Sequence, residues 1–404
     1  MQADNTFTFG VIFAPRTGEA VSLKTPCPVK VEEARRYFDN LFFDLAAHNI
    51  NTAVEFCGYP EHYEIILEAA ERYGIRVVLS VKQLAEIIRQ PLLKREEAEA
   101  SLAQAIGKLD TPSLLGYYLI DEPREDIIEN QARVDSILKE LDPSRVRLSC
   151  LDNVDIMERI FSIYQPEILL IDVYPLTRCS PAGDLNRGHG ERQDYSFTQY
   201  IDKAHSLKPD NPLWVILQAF GHGDIGKFQL WRMPSPSEIR VMTYLAISHG
   251  AKGIIYFLYN TLDNMPHEYL RGMRDEEGEA TPILSEIGRI GEEIKILSPF
   301  LMELKPVESL IDDISEPLDI RSFVDNRGNK VLIVVNKNIS ETAALRLNIA
   351  EDRIGNRIES IVDAYNGDEL PFSKHNGTIH IDMALPPARC RCLKFISLNK
   401  AIRM

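Results

Sequence analysis

The chain has 404 residues, of which 45% are hydrophobic and 26% are charged, a balance typical of a globular protein with a large core and not of a disordered chain. Its formal net charge of −15 excludes nucleic acid as an expected partner, because binding to a phosphate backbone needs a basic face. No apolar run approaches the roughly 18 residues that span a bilayer, so we also expect no membrane partner.

The sequence does not determine the cellular compartment of the protein. The N-terminus lacks a basic segment followed by an apolar core, which indicates a cytoplasmic protein for the chain as given. A signal peptide upstream of the first residue would instead direct the protein to the periplasm or out of the cell. Both compartments therefore remain consistent with the residues.

Neither a metal site nor a cofactor is predicted. The cysteines lack the spacing of metal ligands and stand at positions 27, 57, 150, 179, 390 and 392. Loop histidines such as His222 have no carboxylate at metal-ligand spacing. We expect scattered, mostly buried thiols and a protein that works without metal or cofactor.

As far as about residue 300, apolar strand-like runs alternate with amphipathic helical stretches, a pattern typical of a parallel α/β fold. Strands are predicted at 7–14, 51–57, 76–81, 115–120, 146–151, 168–174, 213–220 and 253–259. Helices are predicted near 31–47, 61–73, 83–107, 126–141, 155–163, 196–206, 236–249 and 279–298. Eight such units predict a (β/α)8 TIM barrel, which we assign to a catalytic domain at 1–304.

The helix predicted at 236–249 has the clearest end signals. Ser235 is the expected N-cap and Glu238 the third helical residue, which together form a capping box. Pro236 suits the first helical position, and Gly250 stands where a glycine commonly follows a helix end. We therefore expect a well-defined helix between two apolar strands.

After Pro306 the helical periodicity gives way to short alternating strands. They are predicted at 319–324, 330–336, 344–348, 360–364, 378–383 and 391–396. The pairs Asn366-Gly367 and Asn376-Gly377 supply turn chemistry between them. This pattern predicts a small antiparallel β-sandwich at 305–404, packed on the barrel in a structural role.

The segment 114–123 is the most informative for function, because its apolar run ends in the adjacent carboxylates Asp121 and Glu122. Parallel strands covered on both faces are nearly continuous in apolar residues, and barrel chemistry lies just past their C-terminal ends. Asp121 and Glu122 are therefore candidate catalytic residues. The alternative is that Asp121 caps the next helix and Glu122 is a solvated carboxylate.

Other strand ends bring polar and aromatic side chains to the same mouth. Asp172 and Tyr174 alternate on the sixth strand and so share one face. Further residues expected to contact substrate are Arg16, Glu55, Gln218, His222, Trp231 and Tyr256. Carboxylates and aromatic rings around one cleft indicate a sugar site, because rings stack on pyranoses while two carboxyl groups share acid and base work. An internal salt bridge is the alternative role for Asp172 and Glu55.

Motifs on four of the strands together resemble the barrel of a clan A type glycoside hydrolase, similar to beta-galactosidase-like and uncharacterised bacterial glycosidase-like proteins. They are 118–123 (YLIDEP), 172–175 (DVYP), 214–221 (WVILQAFG) and 249–257 (HGAKGIIYF). The resemblance spans roughly residues 7–300. It implies a glycosidase acting on an oligo- or polysaccharide in carbohydrate metabolism or polysaccharide degradation, with homo-oligomers also known for such barrels.

The resemblance further implies that Glu122 is the general acid, because this clan places its proton donor at the end of the fourth strand. That donor normally follows an asparagine, whereas here it follows Asp121. The clan's nucleophile is a glutamate at the end of strand seven, and the matching residue is Gln218. An amide cannot serve as that nucleophile, so the resemblance leaves the mechanism open.

Three routes remain without a carboxylate at strand seven. An inverting enzyme would use Asp172 or Glu55 as a base roughly 6.5 to 9.5 Å from the acid. A substrate-assisted enzyme would use the pair Asp121 and Glu122, which resembles the acidic pair of beta-hexosaminidases. A retaining enzyme would use Asp172 as nucleophile. We expect Asp172 to be the partner of Glu122. The rival function is a carbohydrate-binding protein that kept the cleft and lost the nucleophile.

Overall fold

The computed structural model describes residues 6–14, 30–56, 59–90, 94–107, 109–187, 195–223, 229–265, 268–355 and 358–397. Eight parallel strands form a closed barrel in chain order, and the last pairs with the first. They are β1 Thr8–Phe13, β2 Thr52–Glu55, β3 Arg76–Leu79, β4 Leu114–Asp121, β5 Val146–Leu151, β6 Leu169–Val173, β7 Leu213–Gln218 and β8 Ala251–Phe257. The predicted (β/α)8 TIM barrel is confirmed.

Helices connect these strands on the outside of the barrel. They are α1 Val31–Ala47, α2 Tyr63–Arg72, α3 Lys82–Arg89, α4 Arg95–Ile106, α5 Ile128–Leu141, α6 Val154–Ile163, α7 Phe197–Leu207, α8 Pro236–Ser248 and α9 Pro282–Glu303, with short 3-10 turns at Pro60–His62 and Glu125–Ile127. The single helix predicted near 83–107 is wrong, because α3 ends with Gln90 in an extended conformation directly before Pro91.

Helix α8 forms as its end signals predict. The Ser235 N–H donates to Glu238 Oε2 at 2.8 Å, and the Glu238 N–H donates to Ser235 Oγ at 3.3 Å. Gly250 follows the helix with φ of 99°, a conformation that favours glycine. The helix is buried from Glu238 to Ser248 because it lies between the barrel strands and the larger C-terminal sheet.

The C-terminal region forms two antiparallel sheets, which confirms the predicted sandwich. Its strands are β9 Lys305–Pro306, β10 Leu318–Val324, β11 Lys330–Asn336, β12 Ala343–Ala350, β13 Ile358–Asp363, β14 Ser373–His375, β15 Thr378–Leu385 and β16 Cys390–Ser397. The larger sheet has the order β9-β10-β11-β16-β13 and the smaller β12-β15-β14. Helix α9 ends at Glu303 and β9 begins at Lys305; the domain division at 304/305 stays a prediction.

Strand β11 is buried on both faces, because the larger sheet lies between the smaller sheet and the barrel. Leu332 and Val334 belong to the sandwich core, whereas Val331 and Val335 belong to the core shared with the barrel, where β11 contacts α8. The C-terminal region therefore braces the α8 side of the barrel. None of the helices in the described ranges is long and apolar enough to cross a membrane.

Candidate active site

A β-bulge in β4 determines which carboxylate faces the barrel interior. The pairing of β4 with β5 shifts between Tyr118 and Ile120, so that Tyr118 pairs with Leu148 and Asp121 pairs with Cys150. Tyr118, Leu148 and Cys150 all belong to the cluster that fills the barrel. The extra residue of the bulge therefore puts Asp121 on the interior face, where strict alternation from Tyr118 would have put Glu122.

Asp121 lies at the barrel mouth, and its carboxylate is hydrogen-bonded to a side chain inside the barrel. The Tyr118 hydroxyl donates a hydrogen bond to Asp121 Oδ1 at 2.5 Å. Partial desolvation raises the pKa of Asp121, although its side chain still contacts solvent, and repulsion from Asp152 adds to this effect. The Tyr118 hydrogen bond and the Arg89 charge act in the opposite direction.

Asp172 lies deeper in the same site and is only 2% exposed. Burial, followed by repulsion from Asp121 and Asp152, raises the pKa of Asp172 to about 8, and a hydrogen bond from the Cys150 thiol only partly offsets the rise. This shift favours the protonated form of Asp172 at neutral pH. The alternative role of Asp172 was an internal salt bridge to Arg16 or Lys82. Lys82 lies 3.7 Å from Glu86 and Arg16 lies outside the described residues, so this alternative stays a prediction.

Glu122 stands at the rim of the mouth with its side chain exposed. Its φ of 42° is in the left-handed region, which costs a non-glycine residue about 1 kcal/mol, and its N–H donates to the Cys150 carbonyl oxygen at 3.1 Å. The carboxylate charge raises the pKa of both Cys150 and Tyr174, after burial and the nearer aspartates. The charges of Glu122, Asp121 and Asp172 thus act on the same two side chains at the mouth.

The alternative that Asp121 caps the following helix is wrong. The residues at the N-cap positions of the 3-10 turn and of α5 are Arg124 and Ile127, and neither makes a side-chain capping hydrogen bond. Asp121 instead accepts from Tyr118 inside the barrel. Asp121, the last residue of β4, therefore belongs to the barrel mouth and not to the next helix.

Gln218 lies on the interior face of β7, in register with Phe257, but backbone groups occupy its amide, so the predicted contact of this amide with substrate is wrong. It is fully buried, and its Oε1 accepts the Leu176 N–H at 2.9 Å. Its Nε2 donates to the carbonyl oxygens of Leu176 and Arg232, each at 2.9 Å. The amide thereby joins the segments that follow β6 and β7, and its hydrogen-bonding groups are occupied by backbone.

The predicted substrate contacts of Tyr256 and Glu55 are also wrong, because both side chains point outward to the helices. Tyr256 is buried, and its hydroxyl is 2.7 Å from Thr243 Oγ1 on α8. Glu55 alternates with the interior residue Val54 and is fully buried on the helix side. Arg16, another predicted contact, lies outside the described residues.

Aromatic side chains form one wall of the mouth. Tyr174 packs edge-on against Phe220 and Trp231, with ring centroids at 5.1 and 5.8 Å, and stacks against Phe257 at 6.0 Å. Tyr174, Trp231 and Phe257 are each half-buried, which leaves ring surface open to the mouth. Phe257 was missed from the sequence, although it alternates with Ile255 and so shares the interior face.

His222 supports this wall from a short strand, Gly221–His222, that pairs with Glu268–Arg271. Its Nδ1 accepts the Trp231 N–H at 2.9 Å. Burial and the nearby Arg178 charge lower the pKa of His222, so the ring is neutral at neutral pH and can accept this bond. We therefore place His222 beside the predicted binding residue Trp231 as its support.

The chain is similar to known glycoside hydrolases in part of its sequence and in its fold. Residues 125–297 match a family model described as Beta-galactosidase, a region that begins just after Glu122. No curated protein matches the chain. The structure is similar to a beta-galactosidase from Bacillus circulans sp. alkalophilus, with a TM-score of 0.63 and 9% identity over 97% of this chain and 99% of the other. A glycoside hydrolase family 5 structure from Bacteroides vulgatus has a TM-score of 0.60 and 13% identity over 97% and 92%.

Proposed function

We propose that this chain, which its family match and barrel identify as a glycosidase of the clan A type, hydrolyses oligo- or polysaccharides with Glu122 as general acid and Asp121 as the ionised partner. The observation that carries the proposal is that the charges of Asp172, Asp121 and Glu122 all act on Tyr174, a half-buried ring in the aromatic wall of the mouth. Rings of this kind suit the apolar faces of sugars, and the carboxyl groups supply acid and base.

Glu122 is proposed as the acid on position and exposure. It follows the fourth barrel strand, where the resemblance places a proton donor, and its exposed carboxyl can reach the oxygen of a bound leaving group. Its left-handed backbone turns the chain at the rim, and such conformations concentrate at functional sites. Protonation of that oxygen lets the glycosidic bond break.

The proton on Asp172 favours Asp121 as the partner of Glu122, in place of the Asp172 expected from the sequence. A carboxyl group whose pKa is about 8 is mostly protonated at neutral pH and so is poorly suited to accept a proton from water or to attack an anomeric carbon. Asp121 is more exposed and receives the Tyr118 hydrogen bond, which stabilises its charge. An ionised Asp121 can take a proton from an attacking water or orient a 2-acetamido group of the substrate.

The occupied amide of Gln218 supports a route that needs no protein nucleophile on strand seven. Water attack assisted by Asp121 inverts the anomeric configuration. Assistance by a 2-acetamido group retains that configuration and works only on sugars that carry this group. The anomer of the first product therefore distinguishes the two routes.

The test compares sugar release by the wild type, Glu122→Gln and Asp121→Asn from a panel of natural oligo- and polysaccharides, with the product anomer followed by NMR. Both variants are expected to lose at least about 100-fold in turnover while sugar binding is kept. Glu125→Gln is the control, since Glu125 is an exposed carboxylate three residues further on, near Arg159 at 3.7 Å. Full activity of Glu122→Gln would contradict the assignment, and binding without release by the wild type would indicate the carbohydrate-binding rival.

A further inference from the structure

Tyr118 is a buried residue whose hydroxyl contacts Asp121, the proposed ionised partner of the reaction. Its side chain is 2% exposed inside the barrel, and its ring packs edge-on against Phe56 with centroids 5.8 Å apart. The only polar atom of the side chain, the hydroxyl, donates to Asp121 Oδ1 at 2.5 Å. Tyr118 is therefore a buried donor aimed at a carboxylate that faces the mouth.

The bulge in β4 lies between Tyr118 and Asp121 and makes the contact between these two side chains possible. Side chains three residues apart on a regular strand point to opposite faces. The register shift between Tyr118 and Ile120 returns Asp121 to the face of Tyr118. Bulges often re-aim a side chain near an active site, and this one joins a hydroxyl to a carboxylate.

Asp121 and Asp172 have donors of unequal strength. Two carboxyl groups in one site resist double ionisation, so the neighbouring donors influence which group carries the charge. Asp121 receives a short hydrogen bond from a phenol, a donor that strengthens when its acceptor is ionised. Asp172 receives a thiol hydrogen bond from Cys150, which is a weak donor. The exposure of Asp121 and the burial of Asp172 act in the same direction.

We propose that Tyr118 is a positioning residue of the reaction, whose hydroxyl holds Asp121 charged and aimed into the mouth so that Asp172 keeps the proton of the pair. This inference rests on the proposed function of Asp121. It makes the phenol, which touches no substrate, the group that sets the lower pH limit of activity. Activity requires ionised Asp121, so the acid limb of kcat/KM follows the titration of this carboxyl.

The experiment compares Tyr118→Phe with Tyr117→Phe. Tyr117 is the adjacent residue on the opposite face, where its hydroxyl donates to Asp142 at 2.7 Å, so it controls for the loss of a buried hydroxyl from the same strand. In Tyr118→Phe the acid limb of kcat/KM is expected to move up by about one to two pH units. In Tyr117→Phe the limb is expected to stay in place. Equal loss of activity at every pH in Tyr118→Phe, with no movement of the limb, would overturn the proposal.

A second readout separates this inference from the proposed function. The carboxyl carbons of 13C-labelled aspartate report the titration of Asp121 by NMR, and Asp121→Asn identifies its resonance. The Asp121 midpoint is expected to rise in Tyr118→Phe; an unmoved midpoint refutes the coupling, whether or not the protein releases sugar. If the wild type releases no sugar but the midpoint moves, the contact is supported and the proposed function fails. If Tyr118→Phe does not fold, 3-fluorotyrosine is introduced at position 118 instead. Its hydroxyl is a stronger hydrogen-bond donor, so it is expected to lower the Asp121 midpoint. An unchanged or raised midpoint refutes the proposal.

Discussion

Gln218 and Leu176 are joined by two hydrogen bonds of 2.9 Å, from the Leu176 N–H to Gln218 Oε1 and from Gln218 Nε2 to the Leu176 carbonyl oxygen. A third bond, from Nε2 to the Arg232 carbonyl oxygen at 2.9 Å, anchors the segment after β7. Gln218 is the residue that the resemblance to clan A glycoside hydrolases aligns with their nucleophile. In this structure it acts as a clamp between two segments of the mouth. A carboxylate could not replace it, because two carbonyl oxygens require a donor there.

We predict that Gln218→Glu does not create a nucleophile and lowers the free energy of unfolding by roughly 3 kcal/mol or more at neutral pH. The new carboxylate would be buried against carbonyl oxygens without a compensating charge. Urea unfolding and hydrolysis assays test this. Gln199→Glu is the control: Gln199 is the exposed third residue of α7 and should tolerate the change. A stable Gln218→Glu variant with increased hydrolysis would contradict the prediction.

Asp172→Asn should keep most of the activity near pH 7, because the amide resembles the protonated carboxyl in shape. In the wild type, activity is expected to fall as pH rises through about 8, where Asp172 ionises and puts a second charge beside Asp121. The variant should lack the part of the alkaline limb that the ionisation of Asp172 causes. The pH profile of kcat/KM is the measurement, and a loss of more than about 100-fold at pH 6 to 7 would instead support Asp172 as base or nucleophile.

The buried Glu55 should make stability depend on pH. Neither of its carboxylate oxygens has a hydrogen-bond partner among the described residues. Burial raises the pKa of Glu55 from 4.5 to about 8, and the backbone of Ser80 only partly opposes the shift. Between these pH values the folded state binds one more proton than the unfolded state, so stability falls as pH rises, by about 1.4 kcal/mol per unit.

Glu55→Gln removes this dependence and should therefore gain roughly 3 kcal/mol relative to the wild type between pH 5 and pH 7.5. Unfolding curves at the two pH values measure the difference. The control is Glu359→Gln, at an exposed position on β13, which should show no such gain. An identical gain in both variants would mean that the burial of Glu55 is not the cause.

His249 should stabilise the contact between the barrel and the C-terminal sheets. Its Nδ1 is 2.6 Å from Asp202 on α7, and its Nε2 is 3.2 Å from Asp319 on β10. Burial alone would lower the pKa of His249, but the hydrogen bonds and charges of these aspartates outweigh it and raise the pKa. The stabilisation is complete below the unfolded pKa of about 6.5 and is lost as pH rises through the higher folded value.

We expect His249→Gln to lower the free energy of unfolding by roughly 2 kcal/mol at pH 6, with the difference from the wild type narrowing toward pH 9. Thermal unfolding across this pH range is the measurement. The exposed His375→Gln serves as control and should match the wild type throughout. A constant difference at all pH values would show that the charge on His249 is not involved.

Much of the architecture follows from local patterns. A barrel strand is covered on both faces, so each of the eight is an apolar run that alternates with a helical stretch, and their number and order are readable along the chain. Carboxylates are costly in such runs, so Asp121 and Asp172 were informative where they stood. The helix α8 was equally clear, because its capping box uses residues three apart in sequence.

The sequence by itself thus determined the barrel, the sandwich and the two aspartates of the mouth, since local periodicity and polarity encode them. Only the tertiary structure decided which face each strand end presents: one extra residue at the bulge in β4 puts Asp121 on the interior face, against strict alternation from Tyr118. The packing of Glu55 and Tyr256 against the helices was hidden for a related reason, because alternation does not state which face is inside. The clamp of Gln218 joins residues 42 positions apart, a distance that only folding closes.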